Sequence, residues 1–192
     1  MKRFFHHDLN LIDVQLKAIS AVWLKYQIKS YDLYDSTTLL MDDTIKMYQQ
    51  LSKGNRETQM NTHKAELLTA KRGIDPITLA KVTIHKNELV ANTIFKILQN
   101  MTALVQEDEQ DIRNKLTNAG ETINQIILTS LQQGLFNRSD IDKLSSSDQV
   151  QLLWIKIGQN ENIALGQAQL LLNVSKYDAV VLFEEALHSL KS

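Results

Sequence analysis

The chain has 192 residues, 43% hydrophobic and 22% charged, with a formal net charge of -1. That balance belongs to an ordinary globular chain and excludes a strong overall field towards nucleic acid or an anionic membrane. It has no cysteine, which excludes disulfides, thiolate ligands and a thiol nucleophile, and a single proline and six glycines leave few interruptions for helices.

The tip Met1-Lys2-Arg3 is basic, but the residues after it turn polar where a secretory signal needs an apolar run, so no cleaved signal is expected. From Leu9 to Ile28 the residues Leu9, Ile12, Leu16, Ile19, Trp23 and Tyr26 step by three and four, which predicts the first helix. Asp35 or Ser36 caps a second, with Leu40, Met47 and Leu51 along one side. Residues 52–62 hold one apolar side chain, Met60, and read as a loop or an exposed helical arm before a short helix over 64–71.

Arg72-Gly73-Ile74-Asp75-Pro76 then resembles a helix end followed by a helix start, with proline in the first helical turn. A rod from Pro76 to Val105 follows, its stripe made by Ala80, Ile84, Ala91, Ile94, Leu98, Met101 and Val105. The acidic run Glu107-Asp108-Glu109 suits the opening of a further helix, Asp108 to Gln133, in which Ile112, Leu116, Ala119, Ile123 and Ile126 step 4-3-4-3. Because Gln106-Glu107 is so short a connection, the two rods are expected to run antiparallel. Gly134-Leu135 reads as a glycine cap, and Ser139 and the serines at 145–147 as helix starts. Beyond Gln149 the helices are apolar on more than one side, so the C-terminal third is expected to centre the core.

The fold expected is therefore all-α, a bundle of six to eight helices around a long antiparallel pair. One domain is the default, with a subdivision near 73–76 as the alternative. No apolar run is long enough to span a bilayer.

Chemistry is harder to find. Glu185 and His188 lie three apart on a helix and can share an ion, and His85 with Glu88 forms a reversed pair. Glu88 also falls near the apolar stripe, where an unpartnered carboxylate is costly. His85, Glu88, Glu185 and His188 are thus the candidate metal ligands, set against the plainer reading of both pairs, and of His63 with Glu66, as contacts between neighbouring turns. His6-His7 reads as a solvated tail, and Trp23 and Trp154 as core residues. Helices over 161–190 joined at Val174-Ser175 have the outline of a helix-turn-helix. The second helix lacks the arginine, asparagine and glutamine side chains that read bases, and Ser175 to Asp178 reads as a capping box variant.

With no catalytic constellation to name, the leading expectation is a non-enzymatic helical interaction or adaptor protein of the cytoplasm. It would self-associate through Ile112, Leu116, Ala119, Ile123 and Ile126. The second reading is a bundle that holds a metal or small apolar ligand in its core; the third is a DNA-associated regulator. No cofactor is predicted, a metal being the one left open.

Overall fold

The computed structural model describes residues 4–83 and 85–191, and these form eight helices with no strand among them. In chain order they are α1 Phe5–Gln27, α2 Leu33–Gln50, α3 Gly54–Lys71, α4 Lys86–Gln132, α5 Arg138–Asp142, α6 Ser147–Ile157, α7 Glu161–Asn173 and α8 Lys176–Ser189. No helix among the described residues is long and apolar enough to cross a membrane. Two packed units emerge, one of residues 10–110, the other of residues 4–9 with 111–191; the subdivision expected at 73–76 falls inside the first.

In the 10–110 unit, α1, α2, α3 and the first half of α4 alternate in direction. Gln15 reaches Thr44 while Lys25 reaches Asp32, so α2 runs against α1. Asp42 pairs with Lys64 and Gln49 with Glu57, so α3 runs against α2; Arg56 pairs with Glu107 while Glu66 and Lys96 share one groove, so α4 runs against α3. Short connections impose this alternation from α1 to α3. Met41, Tyr48, Leu51, Met60, Leu67, Ile97, Leu98 and Met101 fill the interior. Residues 52–62 are therefore the helical arm of the two expectations, and Met60 is completely buried. Gln15 keeps its amide satisfied in the interior by donating to Thr44 Oγ1 at 2.6 Å.

The expected pair of rods is instead one helix of 47 residues that passes through Gln106 and Glu107 without a break. The acidic run starts nothing because it is partnered in mid-helix: Lys53 and Arg56 both donate to Asp108 Oδ1, and Arg56 to Glu107 Oε2 at 2.8 Å. Two helices of 18 residues each, α2 and α3, pack antiparallel in this unit. Nor does α4 begin at Pro76. Asp75 Oδ1 accepts from Ile77 N at 2.8 Å and Thr78 N at 3.1 Å, so 75–78 is a turn with proline in its second place. Leu79 follows in the left-handed region at φ 59°, and Ile74 bridges to Lys81, so the helix starts only at Lys86. Gly73, at φ 79°, does end α3 as expected. Ile84, assigned to the rod, and the tip 1–3 lie outside the described residues.

The other unit has its own core of Ala119, Ile123, Ile126, Ile127, Phe136, Trp154, Ile157, Phe183 and Leu187 among others. Trp154 meets Phe183 at 5.0 Å between ring centroids. Gly134 (φ 67°, with Leu135 N returning to Ser130 O), Ser146 and Ser175 sit at helix ends as expected. Ser146 and Ser175 accept from amides of the following turn, as Asn160 also does. The helix start expected at Ser139 is instead capped two residues earlier by Asn137, in a capping box with Asp140. The expectation that α6 and α7 are buried all round is not met, since Leu152, Ile155, Leu165 and Leu172 are exposed.

Candidate functional site

Four of the five side chains expected to face a partner, Ile112, Ala119, Ile123 and Ile126, are buried within the chain, and Leu116 is half-buried. The 4-3-4-3 seam is real, and its Ala119, Ile123 and Ile126 belong to the core shared with residues of α5 to α8.

The metal candidates fall in two units, one pair in each. His85 precedes α4 at φ 64°, and its Nδ1 lies 3.7 Å from Glu88 Oε2, both side chains largely exposed. Glu88 sits in the first helical turn, clear of the apolar stripe. His188 turns towards Glu184, 3.9 Å away, and not towards Glu185. Glu184 also accepts from Ser147 Oγ at 2.9 Å, beside a hollow of about 70 Å³. Among the described residues, no three histidine or carboxylate side chains converge as a metal site.

His6 overturns the reading of a solvated tail. Its Nδ1 donates to Asp178 Oδ1 at 2.7 Å, while the amides of Phe5 and His6 donate to the same carboxylate at 3.0 and 3.1 Å. Asp178, on α8, is thus the N-terminal cap of α1, supplied from far along the sequence. Ser175 Oγ adds a donor at 2.6 Å. Burial opposes ionisation of Asp178, but the bonds from His6, Ser175 and the two amides prevail and hold its carboxyl at about 2. The Asp178 bond raises the His6 imidazole. A carboxylate between hydroxyl and imidazole is the wrong order for an activated serine, where the imidazole must touch the hydroxyl. The cluster is an anchor.

The more promising surface is in the 10–110 unit, between α3 and α4. A groove of about 330 Å³ is lined by His63, Glu66, Asn92, Lys96 and Asn100 with Asp75, Pro76 and Ile77 at its mouth. A second stretch of about 350 Å³ shares His63 and Asn100 and adds Gln59, Thr62, Ala103 and Leu104. On α4 the residues Asn92, Lys96 and Asn100 recur every four, one turn apart, and all are exposed. His63 Nδ1 contacts Glu66 Oε2 at 2.9 Å, which fixes the ring along the groove wall. Hydrogen bonds from the Thr78 and Ile77 amides lower the Asp75 carboxyl, and the Lys96 charge assists, so the turn keeps its negative charge beside that lysine.

The turn at the mouth also carries exposed apolar side chains. Ile77 is 75% exposed and Leu79 73%, two residues apart on a turn braced by Asp75 N to Ala80 O at 2.9 Å and Val82 N to Gly73 O at 2.7 Å. A left-handed leucine is disfavoured by steric contact of its Cβ, and such strain concentrates where a loop is shaped for a task.

Elsewhere on this unit, Trp23, Tyr26 and Phe95 meet edge-on or tilted at 5.6 to 5.8 Å, and Trp23 Nε1 donates to Thr102 Oγ1 at 3.1 Å. That trio satisfies its polar handle internally. Reading the sequence missed the groove because Asn92 and Asn100 belong to no motif; their spacing with Lys96, beside the apolar stripe, was the available signal. No family model, curated protein or solved structure matches this chain.

Proposed function

We propose that the protein is a non-enzymatic interaction module whose groove between α3 and α4 holds an extended segment of a partner protein. The observation that carries this reading is the amide-lined wall beside the exposed Ile77, with Leu79 exposed on the same turn. Asn92 and Asn100 are two turns apart, about 12 Å along the helix, close to the span of four residues of extended chain at about 3.3 Å each. Side-chain amides both donate and accept, so they suit a peptide backbone whatever its sequence. Lys96, between them, favours an acidic side chain on the segment, and Ile77 and Leu79 an apolar one. A chain free of cysteine suits a reducing compartment, and the cytoplasm is the location this reading assigns.

Selection of a random peptide library on the purified protein tests it. Enriched peptides should combine an acidic and an apolar residue, and Asn92→Ala with Asn100→Ala should weaken their binding by about 2 kcal/mol, roughly thirtyfold. No enrichment, or binding indifferent to the double variant, would remove the basis of the reading.

A further inference from the structure

α7 carries one charged residue, Glu161, at its first position, and none from there to Asn173. Its inward side is fixed: Gln167 Nε2 donates to Trp154 O at 2.9 Å, Ile163 and Leu170 are buried, and Gly166 lies so close to Ile126 that a Cβ would sit 3.3 Å from its side chain. The outward side carries Glu161, Leu165, Ala168 and Leu172, at steps of 4-3-4, all exposed; Leu165 is 66% and Leu172 79% exposed. That is the spacing of a helix-pairing seam. The sequence shows two such seams, one on α4 that the chain covers itself and this one, which it leaves open.

We propose that α7 pairs antiparallel with α7 of a second copy of this chain. A two-fold axis between Ala168 and Gln169 sets Leu165 of each copy against Leu172 of the other, with the small Ala168 at the crossing point where the helices approach. The ends then match in charge. Glu161 at the start of one α7 lies beyond the end of the other, where Lys176 is the first charge to follow. Both residues are exposed. A second copy is the occupant that fits, because a two-fold interface must complement itself. A face neutral along its length with opposite charges at its two ends does so in the antiparallel sense, whereas a strongly acidic or basic partner finds no countercharge there. The seam is in the 111–191 part of the chain and does not depend on the groove.

Sedimentation of the full chain across a wide concentration range tests the proposal. The expected result is a reversible monomer–dimer equilibrium, weakened at least about tenfold by Leu172→Glu, an exposed position where the change leaves the fold intact. Glu161→Lys and Lys176→Glu should each weaken it, and the two together should restore it. Because the chain has no cysteine, Leu165→Cys and Leu172→Cys proteins can be mixed and oxidised, and should crosslink to each other in preference to themselves. A monomer at every concentration would overturn the proposal, as would a dimer untouched by Leu172→Glu, charge reversals without rescue, or Leu165→Cys crosslinking best to itself. A monomer that still binds selected peptides would sink this pairing and leave the groove reading standing.

Discussion

Asp178 holds His6 at 2.7 Å across 172 positions of sequence, and with that bond a carboxylate on α8 caps the first turn of α1. The cap must respond to pH on both sides. Asp178 is depressed to about 2, so its contribution is present above the ordinary aspartate range and lost as pH falls towards that value. His6 is raised above 6.5, so its contribution is complete below 6.5 and lost as pH rises through the raised value. The other charge felt by His6 is Glu185, which acts in the same direction. Urea midpoints should therefore decline as pH rises from about 6 to 9, and His6→Gln should flatten that decline. Asp178→Ala should cost about 3 kcal/mol, since it removes the acceptor shared by His6, Ser175 and two helix-terminal amides. A flat profile for the unaltered protein would show that the bond carries no charge.

Tyr48 is buried beside Asp108, and its hydroxyl and that carboxylate are joined by no more than a weak, poorly formed hydrogen bond. Burial raises the phenol, and the neighbouring carboxylate raises it further. Only that weak bond is lost with the hydroxyl, so Tyr48→Phe should change stability by less than about 1 kcal/mol. Lys53→Met should cost more, about 3 kcal/mol, because Asp108 keeps only the longer contact to Arg56 at 3.4 Å. Chemical denaturation of the two variants side by side gives the ordering.

Leu79 at φ 59° should be relieved by glycine. Leu79→Gly is expected to leave stability level or raise it by about 1 kcal/mol, against the usual loss on introducing glycine. Binding of selected peptides should fall modestly in the same variant, because Ile77 is then the one large apolar side chain left exposed on that turn. Thermal melts and a binding titration separate the two effects.

Continuity of α4 has a simple test at Glu107. In the middle of an unbroken helix, Glu107→Pro removes a backbone donor and clashes with the preceding turn, costing about 3 kcal/mol or more. At a loop between two helices the same change would be mild.

The residues explain which parts of the fold were legible. Periodicity located the apolar stripes, and local signals located the ends: Gly73, Gly134, Ser146 and Ser175 sit at the termini their chemistry suggests. The errors came where a distant partner decides, or where one local signal fits two structures. Glu107 and Asp108 resemble a helix start until Arg56 and Lys53 neutralise them in mid-helix. Asp75-Pro76 resembles a capped helix start, but the side chain of Asp75 closes a turn. His6 resembles a tail residue because the carboxylate that holds it lies 172 positions away. The groove was legible only as the spacing of Asn92, Lys96 and Asn100, since what makes it a groove is α3 lying opposite.

Amide-resolved NMR titration of the intact protein with an enriched peptide tests the interaction reading most directly. Shifts concentrated at 59–66, 74–79 and 89–104, and lost in the Asn92→Ala, Asn100→Ala protein, are the predicted result. Shifts confined to residues 111–191, or saturable binding that leaves Asn92, Lys96 and Asn100 unmoved, would contradict it.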